Sequence, residues 1–245
     1  MCRRPDSRNR PAERGSVLIY IFIAIAAFAA LSFAVSRNSR EGLGTVDRER
    51  SELLATQILD YTGMIRRSVQ SMTVDGIDAA DICFDTVRWG HTDYDHPGCT
   101  DPEHQIFNVT GGGAIWQDMA DDIFDIAHTG QPAFSQWVFS GANAVTQVGS
   151  DCSTPGDAAC NELLMVLPYI KRSVCLALNK RLQVTTADTV PVDNADFDIT
   201  TEYKGFVNGK VLDTALLHGK RSGCFEAETT PADGSFAFFA VLIAR

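Results

Sequence analysis

The sequence predicts an α+β fold: a long N-terminal helix, its first half transmembrane, packed on a small antiparallel sheet domain with disulfides. Three observations carry that expectation. Residues 16–35, SVLIYIFIAIAAFAALSFAV, contain no charged side chain. Leu54, Ile58, Tyr61, Ile65, Val69 and Met72 then recur in steps of three and four, the period of one face of a helix. Six of the seven cysteines follow the apolar run, an even set that suits bridges formed in an oxidising compartment.

The elements follow in chain order. Residues 1–15 form a basic leader, with Arg3, Arg4, Arg8, Arg10 and Arg14 against Asp6 and Glu13. Residues 16–35 read as a transmembrane helix, because twenty helical residues rise about 30 Å, the thickness of the hydrocarbon core. Positive charge before a first span stays inside. The expected localisation is therefore the bacterial inner membrane, single-pass, with a cytoplasmic N-terminus and the globular domain periplasmic or extracellular. Residues 36–72 continue the helix as an amphipathic segment, weakened near Gly42 and Gly44. Residues 73–245 form the disulfide-bonded globular α+β domain.

Within that domain, residues 73–104 are rich in acids and turn formers and read as irregular. IFNV at 106–109 reads as a short strand, and Trp116, Met119, Ile123 and Ile126 have helical spacing. WVFS at Trp137 is strand-like. LLMVL from Leu163 reads as a buried strand or a helix start, and Pro168 suits the first turn of a helix continuing through Ile170, Val174, Leu178 and Leu182. The terminal FAFFAVLIAR reads as a central strand of the antiparallel sheet.

Charge excludes one class of partner. The whole chain carries −10. Without residues 1–15 it holds 16 basic against 29 acidic residues, a net −13, which repels nucleic acid. For the exported cysteines the sequential pairing is expected: Cys83 with Cys99, Cys152 with Cys160, and Cys175 with Cys224. The middle pair brackets the turn-rich CSTPGDAAC. No C-x-x-C pair is present, which argues against a zinc site.

Asp93, Asp95, Asp101 and Glu103, near His96 and His104, offer the oxygen donors that Ca²⁺ takes. Without Asp-x-Asp-x-Asp-Gly spacing, a solvated acidic loop is the simpler reading, and no cofactor is expected. The glycine run after Thr110 has no G-K-[ST], and no G-x-S-x-G is present. Asp121, Asp122 and Asp125 suit an exposed helix face. With no catalytic constellation, the chain is read as a non-enzyme.

The segment ERGSVLIYIFIAIAAFAALSFAVSR resembles the N-terminus of type IV pilins and type II secretion pseudopilins. The resemblance covers about the first third of the chain. It implies a structural, minor subunit of a pilus or pseudopilus, anchored and assembled through its N-terminal helix. Its implied partners are other pilin or pseudopilin subunits, the inner membrane and a prepilin peptidase cutting between Gly15 and Ser16, after Arg14. Most members carry glutamate at the fifth mature position; Tyr20 stands there instead, as in the K-type minor pseudopilins that sit at fibre tips. The competing expectation is a signal-anchored or secreted periplasmic binding protein, whose mature chain begins at Met1 or at Val35.

Overall fold

The computed structural model describes residues 16–86, 94–149, 156–186, 188–194 and 196–245, and within the first helix the side chains of 19–33 and of 46 onward. Helix α1 runs Ser16–Val74. The chain divides into two compact units, Met1–Asp47 and Arg48–Arg245. In the first, the side chains of residues 19–33 are exposed and apolar all round the helix, from Ile21 at 52 % to Phe28 at 73 %.

The second unit is built on a six-stranded sheet among the described residues. Its strands are β1 (Val138–Val145), β2 (Glu162–Ile170), β3 (Val192–Asp193), β4 (Lys210–Leu212), β5 (Ser222–Ala227) and β6 (Phe236–Ile243). The order is β3-β5-β6-β2-β1-β4. The four inner strands pair antiparallel, whereas the two short edge strands each pair parallel to their neighbour. Helix α2 (Arg172–Arg181) follows β2.

Both faces of the sheet are covered, which is why β1 and β2 are buried along their whole length. On one face Leu163, Met165, Leu167, Phe238 and Ala240 join a core with the α1 side chains Ala55, Ile58, Tyr61, Ile65, Val69 and Met72, and with Val174 and Leu178 of α2. On the other, Leu164, Val166, Phe239 and Val241 meet Val184, Phe197, Ile199 and Leu217 from the connecting segments. Arg66 reaches over from α1, its Nε donating to the Val241 carbonyl at 3.2 Å. Where β1 and β4 meet, Gly209 lies so close to the Ala142 carbonyl oxygen that any Cβ there would collide with it.

Helix α2 is fastened to β5 twice. The disulfide Cys175–Cys224 joins them. Beside it the fully buried Asn179 donates from Nδ2 to the Cys224 carbonyl and accepts from the Cys224 N–H, both at 2.8 Å. A second buried asparagine repeats the device: Asn143 donates to the Asp198 carbonyl at 2.7 Å and accepts from the Asp198 N–H at 2.8 Å.

The structure corrects the expected fold class. The sheet is mixed and six-stranded, not a small antiparallel one. Among the described residues no helix is long and apolar enough to cross a membrane. The expectation of a helix half embedded in a bilayer is thereby overturned, and with it the single-pass inner-membrane localisation.

Local expectations change too. IFNV at 106–109 lies in turns, and the helical spacing from Trp116 belongs to an irregular segment with 3-10 turns at Asp121–Ile123 and Ile126–His128. Pro168 lies inside β2, not at a helix start. The β2–β6 register shifts between Leu167 and Ile170, and Tyr169 there has φ of 60°. A proline without an N–H is tolerated at such an interruption of the ladder.

Two substitutions test this core. Ile65→Ala removes a fully buried side chain between α1 and the sheet and is expected to cost about 3 kcal/mol. Asn179→Ala strands the N–H and carbonyl of Cys224 and is expected to cost about 2 kcal/mol. Denaturant midpoints at unchanged m-value measure both.

Candidate functional site

Part of the acidic loop meets Cys83 and Cys99 in one polar cleft of about 260 Å³, lined also by Asp81, His96, Asp101, His104 and Lys204, among others. Backbone hydrogen bonds set its walls. The Cys83 N–H donates to the His104 carbonyl at 2.9 Å, and the Ile106 N–H to the Cys83 carbonyl at 3.0 Å. Across the cleft, the Cys99 N–H donates to the His96 carbonyl at 2.9 Å. The buried Gln105 side chain donates from Nε2 to the Cys99 carbonyl at 3.0 Å. Both cysteines are thus held by their backbones as well as by the bridge between them.

The disulfide Cys83–Cys99 is formed. A ring nitrogen of His96 and the two sulfurs all lie within 4.8 Å of one another, and the buried His96 Nδ1 has no hydrogen-bond partner. Burial pulls the His96 pKa below its usual value, and Lys204 adds to this; Asp85, Asp95 and Glu202 oppose it. Lys204 is itself paired with Glu202 at 3.5 Å.

Among the described residues, Asp95, Asp101 and Glu103, expected to hold Ca²⁺, are not gathered into one ligand set. Asp101 caps the 3-10 turn Pro102–His104, accepting from the Glu103 N–H at 3.0 Å. Asp95, Asp101 and Glu103 are exposed. Among the described residues the cluster with metal-ligand spacing is Cys83, His96 and Cys99; Asp93 lies outside the described residues. Of the expected bridges, Cys83–Cys99 and Cys175–Cys224 are present. Cys160 is also disulfide-bonded, and Cys152 lies outside the described residues. Arg14 and Gly15 of the expected processing site do so as well, while Ser16 opens α1.

A second group was not legible in the sequence. Glu162 is 1 % exposed at the start of β2 and accepts from the Val145 N–H at 2.9 Å. Burial pushes its carboxyl up from 4.5 to about 7, the hydrogen bonds from the Val145 and Glu162 N–H groups only partly opposing. Nearby, Asn143 Nδ2 donates to Ser140 Oγ at 3.1 Å. A lone glutamate ahead of LLMVL carries no spacing signal; only the topology that buries it gives it this character.

The raised carboxyl predicts a pH dependence of stability. The folded chain holds the Glu162 proton up to about pH 7, whereas an unfolded glutamate releases it near its usual value. Its contribution is therefore full at acid pH and is lost as pH rises from about 4.5 to about 7. Glu162→Gln keeps an oxygen for the Val145 N–H. It is expected to remove this slope and to gain stability at pH 7 on the order of 3 kcal/mol relative to the parent. Urea midpoints of the two proteins across that range measure the difference. In comparison with known proteins, the chain matches no protein-family model, no curated protein and no solved structure.

Proposed function

We propose that this chain is a pilin-like structural subunit that assembles through the N-terminal part of α1. The observation that carries the reading is the exposed apolar surface of residues 19–33. Side chains such as Phe22, Ile25 and Phe28 leave no polar face for water, and contiguous exposed apolar surface of that kind is the signature of an interaction surface. Helices of this character associate with one another by close side-chain packing. The same helix is amphipathic further on, where Ile58, Tyr61, Ile65 and Val69 are spent on the core of the folded unit. Assembly and folding thus draw on different residues of α1.

The resemblance of ERGSVLIYIFIAIAAFAALSFAVSR to prepilin N-termini supports the same reading and adds prepilin peptidase and other pilin-like subunits as partners. Tyr20, exposed at 68 %, is uncharged where most such subunits carry glutamate. It can offer no carboxylate to a neighbour's N-terminal amine, which supports a minor place in the fibre.

The decisive measurement is the N-terminal sequence of the mature protein from cells with and without a prepilin peptidase. A chain beginning at Ser16 only when the peptidase is present is the expected result; one beginning at Met1 or Val35 in both strains overturns the reading. Phe28→Asp is expected to reduce cross-linked assembly at least about tenfold, the cost of placing a charge in an apolar contact. It should leave the unfolding midpoint of the folded unit unchanged. Tyr20→Glu is expected to change the efficiency of incorporation, and no change counts against the minor place.

A further inference from the structure

We propose that opening the Cys83–Cys99 disulfide converts the polar cleft into a thiolate–imidazole site for a thiophilic divalent cation, Zn²⁺ in the first instance, with His96 as the third ligand. Three observations on the same spot carry this. The two sulfurs and a His96 ring nitrogen already lie within 4.8 Å of one another. In a tetrahedral zinc site, with bonds of about 2.3 Å to sulfur and about 2.0 Å to nitrogen, ligand atoms sit roughly 3.5 Å apart. Moving from the bridged to the metal-bound arrangement therefore asks only for side-chain rotation.

The backbone is pre-arranged for it. The Cα atoms of Cys83 and Cys99 are 6.0 Å apart, and each cysteine is held by hydrogen bonds to His104, Ile106, His96 or Gln105 that do not involve sulfur. Cutting the bridge leaves those bonds in place. His96 is also free to serve: its buried Nδ1 has no hydrogen-bond partner. The cleft is open to solvent and supplies Asp81, Asp101 and His104 along its wall, so the fourth position can be taken by water or one of these groups. The cysteines stand sixteen positions apart, so the pair shows no C-x-x-C spacing; it is close only in space.

The chemistry balances. A dithiol reductant passes two electrons and two protons to the disulfide, yielding the Cys83 and Cys99 thiols and the oxidised reductant. Binding Zn²⁺ releases both thiol protons, and two thiolates with a neutral imidazole leave the site without net charge. Passing two electrons from the two thiolates to a disulfide oxidant, which takes up two protons and leaves as a dithiol, reforms the S–S bond and expels the ion. The cleft is thereby a redox-gated metal site.

The test uses the full chain in a Cys2→Ser background, oxidised, and then reduced without oxygen by a water-soluble phosphine. Each form is titrated with Co²⁺ and then Zn²⁺. One Co²⁺ per reduced chain, giving thiolate-to-cobalt charge-transfer absorption that Zn²⁺ displaces, is the expected result; the oxidised chain should give none. His96→Ala should weaken binding at least about 100-fold, more than the loss of a group outside the ligand set, and Cys83→Ser should remove the signal. Circular dichroism checks that each variant is folded.

The Cys175–Cys224 sulfurs are fully buried. In the reduced parent, Zn²⁺ should therefore protect Cys83 and Cys99 from alkylation, whatever the state of that bridge or of the one at Cys160. Absence of the charge-transfer band in the reduced parent, an equal band in the oxidised chain, or binding unchanged in His96→Ala overturns the proposal.

Discussion

The central pair of strands, β2 and β6, is apolar on both faces, and the rest of the folded unit is arranged to meet that constraint. Alternate residues of β2 point to opposite sides: Leu163, Met165 and Leu167 to one core, Leu164 and Val166 to the other. Neither set can face water without losing roughly 2 kcal/mol per side chain. Helices α1 and α2 close one side, and the connecting segments around Phe197 and Leu217 close the other. Those segments have little regular structure of their own, and their backbone polar groups must be satisfied where they are buried. The paired bonds of Asn143 with Asp198 answer that need by giving a non-ladder residue the two hydrogen bonds of a strand neighbour.

The polar contacts near the sheet are of two kinds. Asn143 and Asn179 are satisfied by fixed backbone partners and specify where a segment or helix lies. Glu162 is different: backbone donors reach it in a setting that still disfavours its charge. The first kind fixes position at little cost, because donor and acceptor are matched. The second links the fold to proton activity.

What was legible in the sequence depended on whether the signal was local. The stripe from Ile58 to Met72 is a property of one helix, and it is buried as its spacing predicts. The terminal FAFFAVLI is a strand because eight apolar and β-prone residues allow little else. The sequential bridges Cys83–Cys99 and Cys175–Cys224 were also readable. Pro168 misled, because a register shift in a distant pairing decides whether a proline fits a strand. Trp116, Met119 and Ile123 misled for a related reason. Their side chains fill gaps in a tertiary core, so their spacing follows the cavity and not a helix period. The edge strands VD and KVL are too short to show any period. Of the cleft, the acids and histidines were visible as composition, but the approach of His96 to the two sulfurs required the fold.

Those edge strands bear on how copies of the chain can meet. A sheet that ends in a long flat strand offers a row of free N–H and carbonyl groups and invites a neighbour to extend it. Here the margins are Val192–Asp193 on one side and Lys210–Leu212 on the other, with Lys210 and Asp196 forming an ion pair at 3.4 Å beside the latter. Two or three residues give too few ladder bonds to hold a second chain, and the nearby charges would have to be desolvated to bring one in. Among the described residues the sheet margins thus offer little for strand addition, which leaves side-chain contacts as the way to hold copies together.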